Sequence, residues 1–182
     1  HNTINSRREH IKQILTSTLI SAVALLTSTT ITSQPSNAYT PDQNPLRESL
    51  YLISRVQEAT VQQERFVNRA SQQDVLKNKM KLTLRLVEKN YKLLDQITLC
   101  ANYVTPEDKV VDATTFGYEA AEALQTAIDY VNSDLGSGEF KDGQKEYLTS
   151  NLKQCRERLF DFLDFIPKDE LLAARKRVEE GE

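Results

Sequence analysis

"EYLTSNLKQCRERLFDFLDFIP", residues 146–167, carries Leu148, Leu152, Cys155, Leu159, Phe162 and Ile166 at steps of 4, 3, 4, 3 and 4. A helix turns about 100° per residue, so this spacing puts all six side chains on one face. Pro167 has no N–H to give to a continuing helix and stops the element. A single face of this kind has no core of its own, so the rest of the chain must supply the surfaces that cover it.

Outward from that stretch, the sequence reads as helix from residue 46 onward, with few glycines or prolines to interrupt it. A first helix is predicted over residues 46–69, with Leu46, Leu50, Ile53, Thr60 and Val67 on one face. A second spans residues 71–103 and shows two adjacent apolar rows: Leu76, Met80, Leu84, Val87, Tyr91 and Leu94 in one, Leu82, Leu86, Leu93 and Ile97 in the other. A face that wide predicts a helix with neighbours on two sides. Thr105-Pro106-Glu107-Asp108 reads as a third start, with Thr as the cap and Pro in the first turn. That helix runs to Leu135, with a kink expected at Gly117 and small residues Ala120, Ala123 and Ala127 facing inward. Gly136-Ser137-Gly138 ends it. Beyond Pro167, residues 168–180 form a charged tail or short helix with little apolar surface besides Leu171 and Leu172, expected to be mobile or to depend on a partner. The fold class is all-α, an up-down-up-down four-helix bundle over residues 46–166 with a charged C-terminal tail or short helix over residues 167–182.

The opening of the chain has a different character. Ser6-Arg7-Arg8-Glu9-His10-Ile11-Lys12 resembles the twin-arginine export signal at Ser6, Arg7, Arg8, Ile11 and Lys12, and departs from it at His10. Residues 14–31 that follow are 18 in number, eight of them Ser or Thr, which is thin for a membrane span of about 20 apolar residues. Pro35-Ser36-Asn37-Ala38 offers small side chains for cleavage after Ala38. Residues 1–38 are therefore read as an export signal and residues 39–45 as a short N-terminal arm. A retained anchor over residues 14–31 is the alternative.

Cleavage after Ala38 would leave 144 residues with 20 basic and 25 acidic side chains, a net charge of −5. Both histidines would leave with the signal, and the chain has no Trp and one Met. Without histidine, neither a Ser-His-Asp nor a Cys-His unit can be built, and zinc and haem attachment spacings are absent. The expectation is a non-enzyme with no cofactor and no metal site. Charge is uneven: Arg65, Arg69, Lys77, Lys79, Lys81, Arg85, Lys89 and Lys92 face only Asp74 and Glu88 in the same stretch, a local +6, while residues 105–146 hold ten acids against three lysines. Two solvated faces attracting each other within the bundle is one reading. A docking surface for an acidic partner is the other. Nucleic acid is not expected, since no aromatic residues interleave with the cations.

Cys100 and Cys155 both fall on inward rows. A bridge between them would close a long loop and add about 4 kcal/mol in the chain-entropy model. Full-length helices would hold them roughly 15 Å apart along the bundle axis, unless a break at Gly117 or a stagger closes the gap. A disulfide and a pair of buried thiols both remain open.

A twin-arginine address, a mature chain of this length, four helices and no catalytic apparatus together resemble the PsbQ-type extrinsic proteins of photosystem II. Among them the chain is most similar to the four-helix subunit of diatoms and related algae. The resemblance implies a lumenal extrinsic protein of the chloroplast thylakoid, peripheral to the membrane. It would dock on the photosystem II core and the other extrinsic subunits, and stabilise the oxygen-evolving complex by retaining calcium and chloride, without any small-molecule substrate. Competing expectations are a membrane-anchored photosystem subunit and an exported helical-bundle carrier of a small apolar ligand, for which the small residues of the third helix would leave room.

Overall fold

The computed structural model describes residues 39–69, 74–136 and 140–181, with residues 74–76 described by their backbone alone. The signal residues Arg7, Arg8, Lys12 and Ala38 lie outside the described residues, as does the proposed span of residues 14–31. One compact unit spans Tyr39–Glu182.

Six α-helices make up that unit, with no strand among the described residues. Helix α1 is Pro45–Arg69. Its start is fixed by Asn44, whose Oδ1 accepts from the N–H groups of Leu46 at 3.0 Å and Arg47 at 3.3 Å. Pro45 occupies the first-turn position where a missing N–H costs nothing. The expected inner face is buried, from Leu46 to Val67.

The predicted second helix is two helices. Helix α2, Asp74–Tyr91, and helix α3, Leu93–Ala101, are separated by Lys92, whose φ of 44° and ψ of 59° lie in the left-handed region. The break changes which apolar row is buried. Before it the core takes Met80, Leu84 and Val87 from the first row; after it, the core takes Leu93, Ile97 and Cys100 from the second. The two rows are therefore used in succession, where the sequence reading had them buried side by side. Leu82, Leu86 and Leu94 are left outside as the unused members of each row.

The expected helix start at Thr105 is also displaced. Thr105 donates its N–H to the Phe165 carbonyl at 2.9 Å, a 3-10 turn follows at Glu107–Lys109, and helix α4 is Val110–Ser133. Contrary to expectation, α4 runs unbroken through Gly117. A Cβ built on Gly117 would lie 2.5 Å from Ile97 Cγ2, so this glycine serves close approach to α3. Ala113, Ala120, Ala123 and Ala127 are buried along the same face. Neighbouring helices pack closely over these small side chains.

Helix α5, Gln144–Leu163, buries its stripe as its spacing predicts, with Leu148, Leu152, Cys155, Leu159 and Phe162 fully covered and Ile166 nearly so. Each buried Leu or Phe removes enough apolar surface to stabilise the fold by about 1.5–3 kcal/mol. Helices α1, α3, α4 and α5 form a ring in which α1 touches α3 and α5, and α4 touches the same two. With α2 and α3 counted as one broken rod, this is the expected four-helix bundle.

Helix α6, Lys168–Glu180, packs on α1. The expectation of a mobile or partner-dependent tail is corrected here. Leu171 and Ala174 are buried against α1, while Arg47 Nε meets Glu170 Oε2 at 3.0 Å. The partner that orders this segment is the chain's own N-terminal region: Arg177 donates to Glu48 Oε2 at 3.1 Å and to the Thr40 carbonyl at 3.0 Å.

Candidate docking surface

Among the described residues no group of three or more His, Cys, Asp or Glu side chains is placed to hold a metal ion. No helix among them is long and apolar enough to cross a membrane. The chemistry that the fold does organise is charge, on α2 and the end of α1.

The eight cations singled out in the sequence separate into two groups. Lys77 is 5 % exposed; its Nζ donates to the Leu135 carbonyl at 3.2 Å and stands 5.0 Å from the centre of the Phe140 ring. Lys81 donates to the Asn132 carbonyl at 3.2 Å. Both ammonium groups sit at the C-terminal end of α4, where carbonyls lack intrahelical partners and the helix dipole favours positive charge. These two lysines hold α2 against α4 and drop out of the docking set. Attraction between the basic and acidic stretches thus runs in part through backbone carbonyls, which a count of charged side chains does not reveal.

Arg65, Arg69, Lys79, Arg85, Lys89 and Lys92 are exposed. Lys79 leans 5.8 Å over the ring of Phe66, next in the chain to Arg65, and so ties the cationic end of α1 to that of α2. On α2, the buried row of Met80, Leu84 and Val87 sets which side faces outward. Leu82, Arg85, Leu86 and Lys89 stand on the opposite side at 100° per residue. Leu82 is 58 % and Leu86 46 % exposed, so this is an apolar pair flanked by cations. Glu88, a carboxylate of the same helix, lies toward the Lys81 edge.

Beyond the break at Lys92, a groove of about 810 Å³ runs between α3 and α4, lined by Lys92, Leu94, Asp95, Thr98, Tyr118 and Glu122 among others. A smaller one, about 230 Å³, separates α1 from α2 beside Leu86 and Tyr91. Both are open and mixed in polarity.

Cys100 and Cys155 are free, buried thiols. They sit on α3 and α5, which face each other diagonally across the ring, and the unbroken α4 removes one route by which the axial gap could have closed. Burial pushes both thiols up to about 12, far from the reactive thiolate.

Sequence reasoning missed the exposed leucines and the Arg177 contacts. The first were legible in principle, since two rows offset around one helix exceed what a straight rod beside two neighbours can bury. The second had no local signal, because their partners lie more than a hundred residues away.

Comparison with protein-family models, with curated proteins and with solved structures finds no match to this chain.

Proposed function

We propose that the chain is a non-catalytic extrinsic subunit of photosystem II in the chloroplast thylakoid lumen. It docks peripherally on the lumenal membrane face and helps the oxygen-evolving complex retain calcium and chloride. The observation that carries the docking half is the cluster of exposed cations Arg65, Arg69, Lys79, Arg85, Lys89 and Lys92 on a chain whose net charge is −3. Such a local excess of exposed positive charge orients the molecule during encounter and favours an acidic surface on the partner. The assignment to the photosystem rests on the resemblance in address, length and helical architecture.

The test is intact-mass analysis of the native protein from thylakoid membranes before and after a high-salt wash. A mass beginning at Tyr39 that appears in the salt wash supports a cleaved, electrostatically docked subunit. A mass that retains Arg7 and stays with the washed membrane overturns it in favour of an anchored protein. Rebinding supplies the residue-level check: a variant with Arg85→Glu and Lys89→Glu should fail to rebind to washed membranes at the salt concentration where the unaltered protein rebinds.

A further inference from the structure

The geometry points to α2 as a contact for anionic lipid: its outer ridge, Leu82 and Leu86 set among Lys79, Arg85 and Lys89, rests on the headgroups of a membrane surface. This deepens the docking reading, from which it takes the cationic face, by naming what that face touches.

Three features favour lipid over an acidic protein. Among the described residues α2 packs chiefly on α1 and α4, which leaves its far side as an outward ridge. A ridge fits a flat or yielding surface, whereas a protein partner would need a complementary trough. Next, Leu82 and Leu86 lie one turn apart on the outer side of α2, Leu82 near the crest and Leu86 on the flank above the α1 groove. Charge pairing alone gives no use for them, yet exposed apolar side chains with cations beside them are the pattern of helices that lie in a membrane interface. Finally, Lys79, Arg85 and Lys89 are exposed on long stems, which lets charged ends stay at the headgroups while apolar side chains beside them sink deeper. The break at Lys92 produced this arrangement, because it is what left the second apolar row of α2 outside the core.

The attraction is the sum of a modest apolar insertion and the pull of an anionic surface on each nearby cation. Both components are separable by mutation at positions outside the fully buried core.

The experiment is co-sedimentation of the full chain with vesicles of phosphatidylglycerol and phosphatidylcholine in equal parts, and with phosphatidylcholine alone. Residues 1–38 are common to all variants, so their effect cancels in the comparison. The unaltered chain should bind the anionic vesicles, and Leu82→Ser with Leu86→Ser should lower the partition about tenfold while keeping its salt dependence. Lys79→Gln, Arg85→Gln and Lys89→Gln together should lower it about a hundredfold and flatten the salt dependence. Melting temperature within error of the unaltered chain shows that each variant is folded. Equal partition of all three proteins, or equal binding to both vesicle types, overturns the inference. So does normal vesicle binding by the variants together with lost binding to detergent-solubilised photosystem, which would assign the ridge to a protein. Conversely, if the α2 variants lose vesicle binding while the native protein proves to be anchored through residues 14–31, the lipid contact stands and the salt-released docking reading falls.

Discussion

The guanidinium of Arg177 lies 4.4 Å from the centre of the Tyr51 ring and at the same time donates to Glu48 Oε2 and to the Thr40 carbonyl. Tyr39 stacks on the other partner of this arrangement, its ring 5.8 Å from that of Tyr51. One side chain from α6 therefore holds both the N-terminal arm and the first turn of α1. Its planar, multiply donating head suits this better than an ammonium group could. Arg177→Ala should cost about 2 kcal/mol of stability, and Arg177→Lys should recover less than half of that. Hydrogen exchange would localise the loss: amides of residues 39–44 and of α6 should exchange faster, with those of α5 little changed.

Gly117 is the tightest point of the bundle. Ala is a better helix former than Gly by about 1 kcal/mol, but its Cβ would press into Ile97, which is itself buried and β-branched and has nowhere to retreat. Overpacking should win, so Gly117→Ala is expected to lose about 1–2 kcal/mol. Combining it with Ile97→Ala should cost less than the two single changes added, a non-additivity readable from denaturant midpoints.

At Lys92 the backbone holds an L-residue in a conformation that costs about 1–2 kcal/mol outside glycine. Lys92→Gly removes that cost and loses part of the gain to the greater freedom of the unfolded chain, leaving a net stabilisation of about 0.5 kcal/mol. Lys92→Val, with a branched Cβ at the same φ, should be destabilising. Urea unfolding at unchanged m-value would order the three proteins as Gly, Lys, Val.

Cys100 and Cys155 make a prediction about alkaline pH. Each thiol has an ordinary value of 9.0 and is pushed up to about 12 by burial. A raised folded-state value means that the native protein keeps its protons where the unfolded chain releases them, so this contribution is complete below pH 9 and is lost as pH climbs from 9 towards 12. Stability should fall with pH over that interval, and Cys100→Ala with Cys155→Ala should make the fall shallower. Below pH 9, labelling with iodoacetamide should be slow and should track global unfolding, since neither thiol is exposed.

How much of this was legible in the sequence depends on the range of the interaction involved. The α5 stripe was readable because each of its residues reports the same local fact, a period near 3.6, and the bundle supports that period along its full length. The break at Lys92 was not, for no glycine or proline marks it; the conformation is imposed by packing, which buries one row below and another above. Residues 105–109 carried a correct turn chemistry placed a few positions early, because the tertiary hydrogen bond from Thr105 to Phe165 competes with the local cap. On the candidate surface, composition identified the cationic stretch but could not separate Lys77 and Lys81, whose carbonyl partners at and just past the end of α4 are over fifty residues distant. The charged residues of α6 looked like a solvated tail since their apolar content is small. What orders them is the burial of Leu171 and Ala174 together with polar contacts to residues 40–48, over a hundred positions earlier in the chain.

That last feature bears on how the molecule is made. Arg177 closes on Thr40 across 137 residues, so the seam that secures the arm cannot form until synthesis has passed residue 177. Local helices can gather earlier, and α1 can meet α5 before α6 is made, so what waits for residue 177 is the ordering of the arm and of α6. Trimming either end should open the same seam, making the two termini of the bundle a single cooperative unit though they are the most distant parts of its chain.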